Sequence, residues 1–208
     1  NWKNGAIFWM VWDVRRMIRT PLLTAGLLVA ASFSLAAPFE RIAVAGGDIT
    51  EILYALGAGD KVIAVDSTSG FPESAKGKAQ IGYVRALSAE GVLSIAPDLL
   101  IGADDAGPPN VIETLQTAGV TVALAPSGTG ADRVPTKIRF VGKTIGREAE
   151  AERLIEQFDV KMSALAKRVA ALDHRPKVLF ILSVRDGAPV VGGRGTGAVD
   201  LDRGDHHP

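Results

Sequence analysis

The stretch Gly82-Tyr83-Val84-Arg85-Ala86-Leu87-Ser88 places a phenol two residues ahead of a guanidinium, in a glycine-preceded turn just before a serine suited to start a helix. An unperturbed tyrosine titrates near about 10 and is neutral at physiological pH. A neighbouring cation or a ferric ion lowers that value. The resulting phenolate is a hard anionic oxygen ligand suited to ferric iron, and tyrosine is one of the few side chains that serve as an axial haem ligand. Tyr83 is therefore the first candidate for holding a metal or a haem, with Arg85 placed to reach its oxygen. The plainer alternative is that Tyr83 caps the core as an amphipathic side chain and that Arg85 is solvated.

Other chemistry is sparse. The chain has one further tyrosine, Tyr54, three histidines and no cysteine, which excludes a disulfide scaffold and a thiolate metal site. A zinc or manganese carrier needs several histidines and carboxylates, yet His174 is the only histidine apart from the His206-His207 doublet of the tail. Gly46-Gly47-Asp48, with Asp66 further on, resembles a dinucleotide-binding turn, but the G-x-G-x-x-G spacing is absent. Two readings of this turn stay open: a helix N-terminus able to receive an anionic group, and a glycine turn in which Asp48 caps the helix. Ser67 and Thr68 fall on the same edge. With no phosphate loop and no nucleophile–base pair, the chain is not expected to be an enzyme.

The elements that must position these residues follow from hydrophobic patterning. Five short apolar runs, at 41–45, 61–65, 98–102, 120–125 and 177–183, have the continuous, β-branched character of strands buried on both faces of a parallel sheet. Helical segments are expected at 49–56, 89–94 and 110–118, with Gly57, Gly119 and Gly146 at helix stops. The clearest helix is 147–172, where Leu154, Phe158, Met162, Leu165, Val169 and Leu172 form one apolar stripe. Strands alternating with helices make an α/β layered fold.

The formal net charge of zero over 208 residues hides an asymmetry. Residues 1–37 carry Lys3, Arg15, Arg16 and Arg19 against Asp13, a net of +3, which leaves −3 for the remainder and no electrostatic footprint for nucleic acid. Arg15 to Arg19 reads as a basic n-region, Pro21 to Leu35 as an apolar h-region, and Ser34 to Ala37 as a small-residue cleavage site. The apolar run is shorter than the roughly 20 residues of a spanning helix. A cleaved secretory leader is the expectation, with residues 1–16 as upstream sequence without a fold of its own.

From Arg41 to about Ala198 the chain resembles the periplasmic haem-binding proteins of haem ABC importers, within the wider family of haem, siderophore and cobalamin substrate-binding proteins. The resemblance rests on Gly46-Gly47-Asp48-Ile49-Thr50-Glu51-Ile52, Val65-Asp66-Ser67-Thr68, Gly82 to Ser88, Ala96-Pro97-Asp98-Leu99 and Gly193-Arg194-Gly195-Thr196. It implies an α/β, two-lobed periplasmic binding protein, its parallel-sheet lobes joined by one long helix and the second lobe incomplete. The implied organisation is an upstream extension and leader at 1–37, an N-terminal lobe at 38–130, a linking-helix region at 131–175 and a fragment of the C-terminal lobe at 176–208. It further implies haem as the transported ligand, Tyr83 as the only axial iron ligand, and Arg85 and Arg194 as cofactor-binding residues, Arg194 facing a propionate. The implied partner is a membrane permease of an ABC importer. A periplasmic monomer is expected, without a stable membrane anchor after cleavage, since no cysteine is present to carry a lipid. The alternatives are a siderophore or cobalamin binder, or a truncated fragment without function, because the tail from Asp200 carries no apolar pattern to bury.

Overall fold

The computed structural model describes residues 39–128, 130, 132–174 and 179–192. Along the chain, β1 (Ile42–Ala45) leads into α1 (Gly47–Ala55), and β2 (Val62–Val65) leads through a short 3-10 turn at Glu73–Ala75 to β3 (Ala79–Gln80). A hairpin of β4 (Gly82–Tyr83) and β5 (Ala86–Leu87) precedes α2 (Ala89–Ser94), and then come β6 (Leu99–Gly102), α3 (Pro109–Thr117) and β7 (Thr121–Leu124). Two helices, α4 (Arg133–Ile145) and α5 (Glu148–Ala170), precede a second hairpin of β8 (Ile181–Arg185) and β9 (Ala188–Val191).

Four of the five predicted strands form one sheet with the short β3, in the order β3-β2-β1-β6-β7, and every pairing is parallel. The β1 and β6 runs are wholly buried, which is why they read as unbroken apolar segments rather than alternating ones. Ile42, Val44, Leu99, Leu100 and Ile101 form the centre of the core, with Ile49 and Leu53 from α1 and Leu115 from α3 packed on it. Asp98 accepts the backbone N–H groups of Glu40 and Arg41 and so locks the start of β1 beside β6. The Pro97-Asp98-Leu99 motif therefore serves the fold at the N-terminal edge of the sheet.

The predicted strand at 177–183 is corrected. Residues 175–178 lie outside the described residues, and the observed strand, β8, pairs antiparallel with β9 in a separate two-stranded sheet. Its side chains are exposed, Leu182 and Val184 among them. The Asp186-Gly187 dipeptide, with positive φ at both residues (51° and 78°), makes the two-residue hairpin turn that this pair favours.

A separate α4 is not legible in the apolar pattern, because Pro135 interrupts it. Proline is tolerated there because it falls in the first turn, where backbone N–H groups have no intrahelical partner. Ile138, Val141 and Ile145 are buried, and Gly142 lets α5 approach closely: a Cβ on Gly142 would lie 2.5 Å from the Cβ of Ala151. The long helix α5 forms as predicted. Its first half is packed through Ala151 and Ile155, whereas Leu165, Val169 and Leu172 of the predicted stripe are exposed. No helix among the described residues is long and apolar enough to cross a membrane.

Candidate functional site

The sheet order reverses at β1, and the C-terminal edge beside such a reversal is where open α/β sheets place their ligands. Every residue singled out for chemistry within the described residues, other than Tyr54 and His174, comes to this edge or to the hairpin over it. The hairpin of β4 and β5 lies across it: Ser67 N–H donates to the Gly82 carbonyl at 2.8 Å, Leu87 N–H to Gly107 at 2.8 Å, and Gly107 N–H to Val84 at 2.9 Å. Val84 and Leu87 are buried and pin the hairpin down, so Tyr83 and Arg85 point outward, with Tyr83 45% exposed. Gly82 has φ of 104°, and a Cβ there would sit 2.8 Å from the Ala86 carbonyl oxygen, so this turn needs glycine. Ser88 then caps α2, accepting the Gly91 N–H at 3.1 Å.

Arg85 differs from expectation. Instead of hydrogen-bonding the Tyr83 oxygen, its guanidinium bonds Asp105 of the β6–α3 loop, with Nε and Nη2 each 2.6 Å from Oδ2. That hydrogen bond and the Asp105 charge, with a smaller contribution from Tyr83, hold Arg85 above the ordinary arginine range. The phenol and the guanidinium are thus neighbours in one field, but the cation is already paired.

The turn after β1 is resolved against an open anion site. Gly46 N–H donates to Asp66, Gly47 N–H to Thr68 and Ile49 N–H to Asp48, so these donors of α1 are satisfied by the protein's own side chains. Asp66 is buried and accepts four hydrogen bonds, from Gly46 N–H, Thr68 N–H, the Thr68 hydroxyl and the Ser69 hydroxyl. Thr50 joins the network through Ser69 at 2.7 Å. Fully satisfied polar clusters of this kind rigidify a loop; Asp66 and Thr68 shape the edge, and Ser67 alone of the three stands exposed without a side-chain bond.

Sequence patterning gives no sign of Lys137. It projects from α4 into this edge with its side chain only 4% exposed, its ammonium 2.6 Å from Asp48 Oδ2 and 4.0 Å from Asp104 Oδ1. An isolated lysine on a helix reads as a solvated charge, and only packing of α4 beside α1 buries it. Tyr54, the second tyrosine, lies near the far end of α1, roughly 10 Å along its axis from Gly47, with its ring against Gly59. His174 is exposed beyond α5, and Arg194, His206 and His207 lie outside the described residues. Among the described residues no group of three or more His, Cys, Asp or Glu side chains converges as a metal site.

Residues 42–203 match the sequence model of the periplasmic binding protein family. The chain belongs to that family. Members of it are substrate-binding proteins rather than enzymes. Among solved structures, this periplasmic binding protein is similar to the periplasmic heme-binding protein RhuT from Roseiflexus sp. RS-1, with 38% identity, a TM-score of 0.75, and coverage of 80% of this chain and 64% of that one. It is also similar to the periplasmic heme-binding protein HutB of Vibrio cholerae, with 33% identity, a TM-score of 0.70, and coverage of 77% and 62%. A curated relative is the vitamin B12-binding protein of Yersinia pestis, 27% identical over 161 residues, which are 77% of this chain and 56% of that protein. The chain thus spans less than two thirds of the length of each of these relatives.

Proposed function

We propose that this chain captures haem in the periplasm, with Tyr83 as the axial ligand of ferric iron, and delivers it to the membrane permease of an ABC importer for iron acquisition. The observation that carries the proposal is an exposed phenol on a rigid hairpin, held over the C-terminal edge of a parallel sheet with a guanidinium beside it. Such an edge is where open α/β sheets bind ligands. The names of solved relatives at 33–38% identity add support. On this reading residues 38–130 are the N-terminal lobe, 131–175 the linking-helix region and 176–208 part of a C-terminal lobe. Arg194 is a propionate partner on the strength of its Gly-Arg-Gly-Thr motif, and the protein works as a monomer.

The names of the curated relatives favour a second reading, a cobalamin binder. Cobalamin brings its own metal ligands and has no need of a tyrosinate. Titration of the purified chain with haemin and, separately, with cyanocobalamin distinguishes the two. Haem capture gives a ferric tyrosinate spectrum that Tyr83→Ala abolishes and Tyr54→Ala leaves in place. A haemin spectrum indifferent to Tyr83→Ala, or saturable binding of cyanocobalamin alone, refutes it.

A further inference from the structure

Two cations stand at this edge, and the structure treats them differently. The Lys137 ammonium is buried, locked onto Asp48 at 2.6 Å with Asp104 at 4.0 Å, so it offers nothing to an incoming ligand. Arg85 is paired just as closely with Asp105, but both partners are open to water, with side-chain exposures of 64% and 40%. Asp105 follows Asp104 in the loop after β6, so the carboxylate that occupies Arg85 comes from a different segment than the hairpin that carries it. Exposed ion pairs are weak, because water and ions compete for both partners. A weak pair beside a candidate ligand-binding phenol is one that another carboxylate can open.

We propose that Asp105 is a resident stand-in for a ligand carboxylate: it holds the Arg85 guanidinium in place while the site is free and yields it to a carboxylate of the incoming ligand. The proposal rests on haem capture at Tyr83, where the exchanging group is a propionate. Asp105 is accordingly a positioning residue, and it selects for ligands that carry carboxylates. A ligand without them leaves the Arg85–Asp105 pair closed and gains nothing from it. The hairpin does not have to move, since backbone bonds to Gly107 hold it independently of the ion pair.

The test compares wild type with Asp105→Asn and Asp105→Glu, using ferric protoporphyrin IX and its dimethyl ester as probes. Asp105→Asn removes the competing charge and should tighten the diacid about two- to fivefold, the scale set by an exposed ion pair, with the ester unchanged. Asp105→Glu should restore the wild-type ratio. Equal effects on diacid and ester, or weaker diacid binding in Asp105→Asn, overturn the exchange. A second measurement needs no haem: the Arg85 Nε–Hε resonance is followed while sodium butyrate is added to each chain. The half-saturating butyrate concentration should fall about two- to fivefold in Asp105→Asn. A resonance that butyrate moves in neither chain overturns the proposal, whereas failure of wild type to bind either porphyrin while butyrate moves the resonance refutes haem capture only.

Discussion

Lys137 and Asp48 are removable one at a time, and the structure makes the two removals unequal. Lys137→Met keeps nearly the whole length of the stem and deletes the charge. The Asp48 carboxylate it leaves behind is 43% exposed and still accepts the Ile49 N–H at 2.9 Å. Its loss is therefore that of one partly hydrated interaction, about 1 kcal/mol. Asp48→Asn leaves an ammonium that is only 4% exposed, with Asp104 at 4.0 Å as its nearest opposite charge. Breaking a buried pair in this sense costs about 3–5 kcal/mol, and the nearby Asp104 puts this case at the lower end, about 3 kcal/mol. For a chain of this size each kcal/mol moves Tm by about 2–4 °C, so Lys137→Met should lower it by about 2–4 °C and Asp48→Asn by about 6–12 °C. The double variant should be more stable than Asp48→Asn alone, because it no longer strands the ammonium. Urea denaturation followed by circular dichroism, with unchanged m values, gives the free energies directly. Lys137→Met costing as much as Asp48→Asn would falsify the asymmetry and with it the burial of a charged Lys137.

Gly82→Ala should cost about 1–3 kcal/mol from its backbone conformation alone, with more from the approach of the Ala86 carbonyl. Since Tyr83 is the next residue, haemin affinity should fall further than stability does, and equal losses would count against the hairpin as the binding element. The leader reading predicts that the exported chain begins near Ala37 or Pro38. Mass spectrometry of a periplasmic fraction reads this, and an intact N-terminus retained with the membranes contradicts it.

Much of the N-terminal α/β architecture is legible in the residues. The runs at β1 and β6 are apolar throughout because they are covered on both faces, and Gly57, Gly119 and Gly146 stop α1, α3 and α4 with positive φ (74°, 90° and 68°). Ser88 is visible as a cap because capping is local chemistry between residues three apart. The β8–β9 hairpin also has its local signal in Asp186-Gly187, but an apolar run alone does not say whether its partners are parallel or antiparallel. The same limit applies to Arg85: spacing puts it near Tyr83, whereas its actual partner, Asp105, is twenty residues away along the chain.

The sequence by itself determined the four long strands of the parallel sheet, most of the helices and the α/β class, with the candidate phenol and the motif that carries it, since each depends on residues within a few positions of one another. Tertiary structure alone decided which charges meet. Asp48, Asp104 and Lys137 come from α1, the loop after β6 and α4, and converge because parallel strands deliver their following loops to one edge while α4 packs beside α1. It also decided that Lys137 is buried in its ion pair while Arg85 is exposed in its own, although in sequence each is one basic residue among 23. Burial depends on what packs over a side chain, and in this fold those neighbours lie far away along the chain.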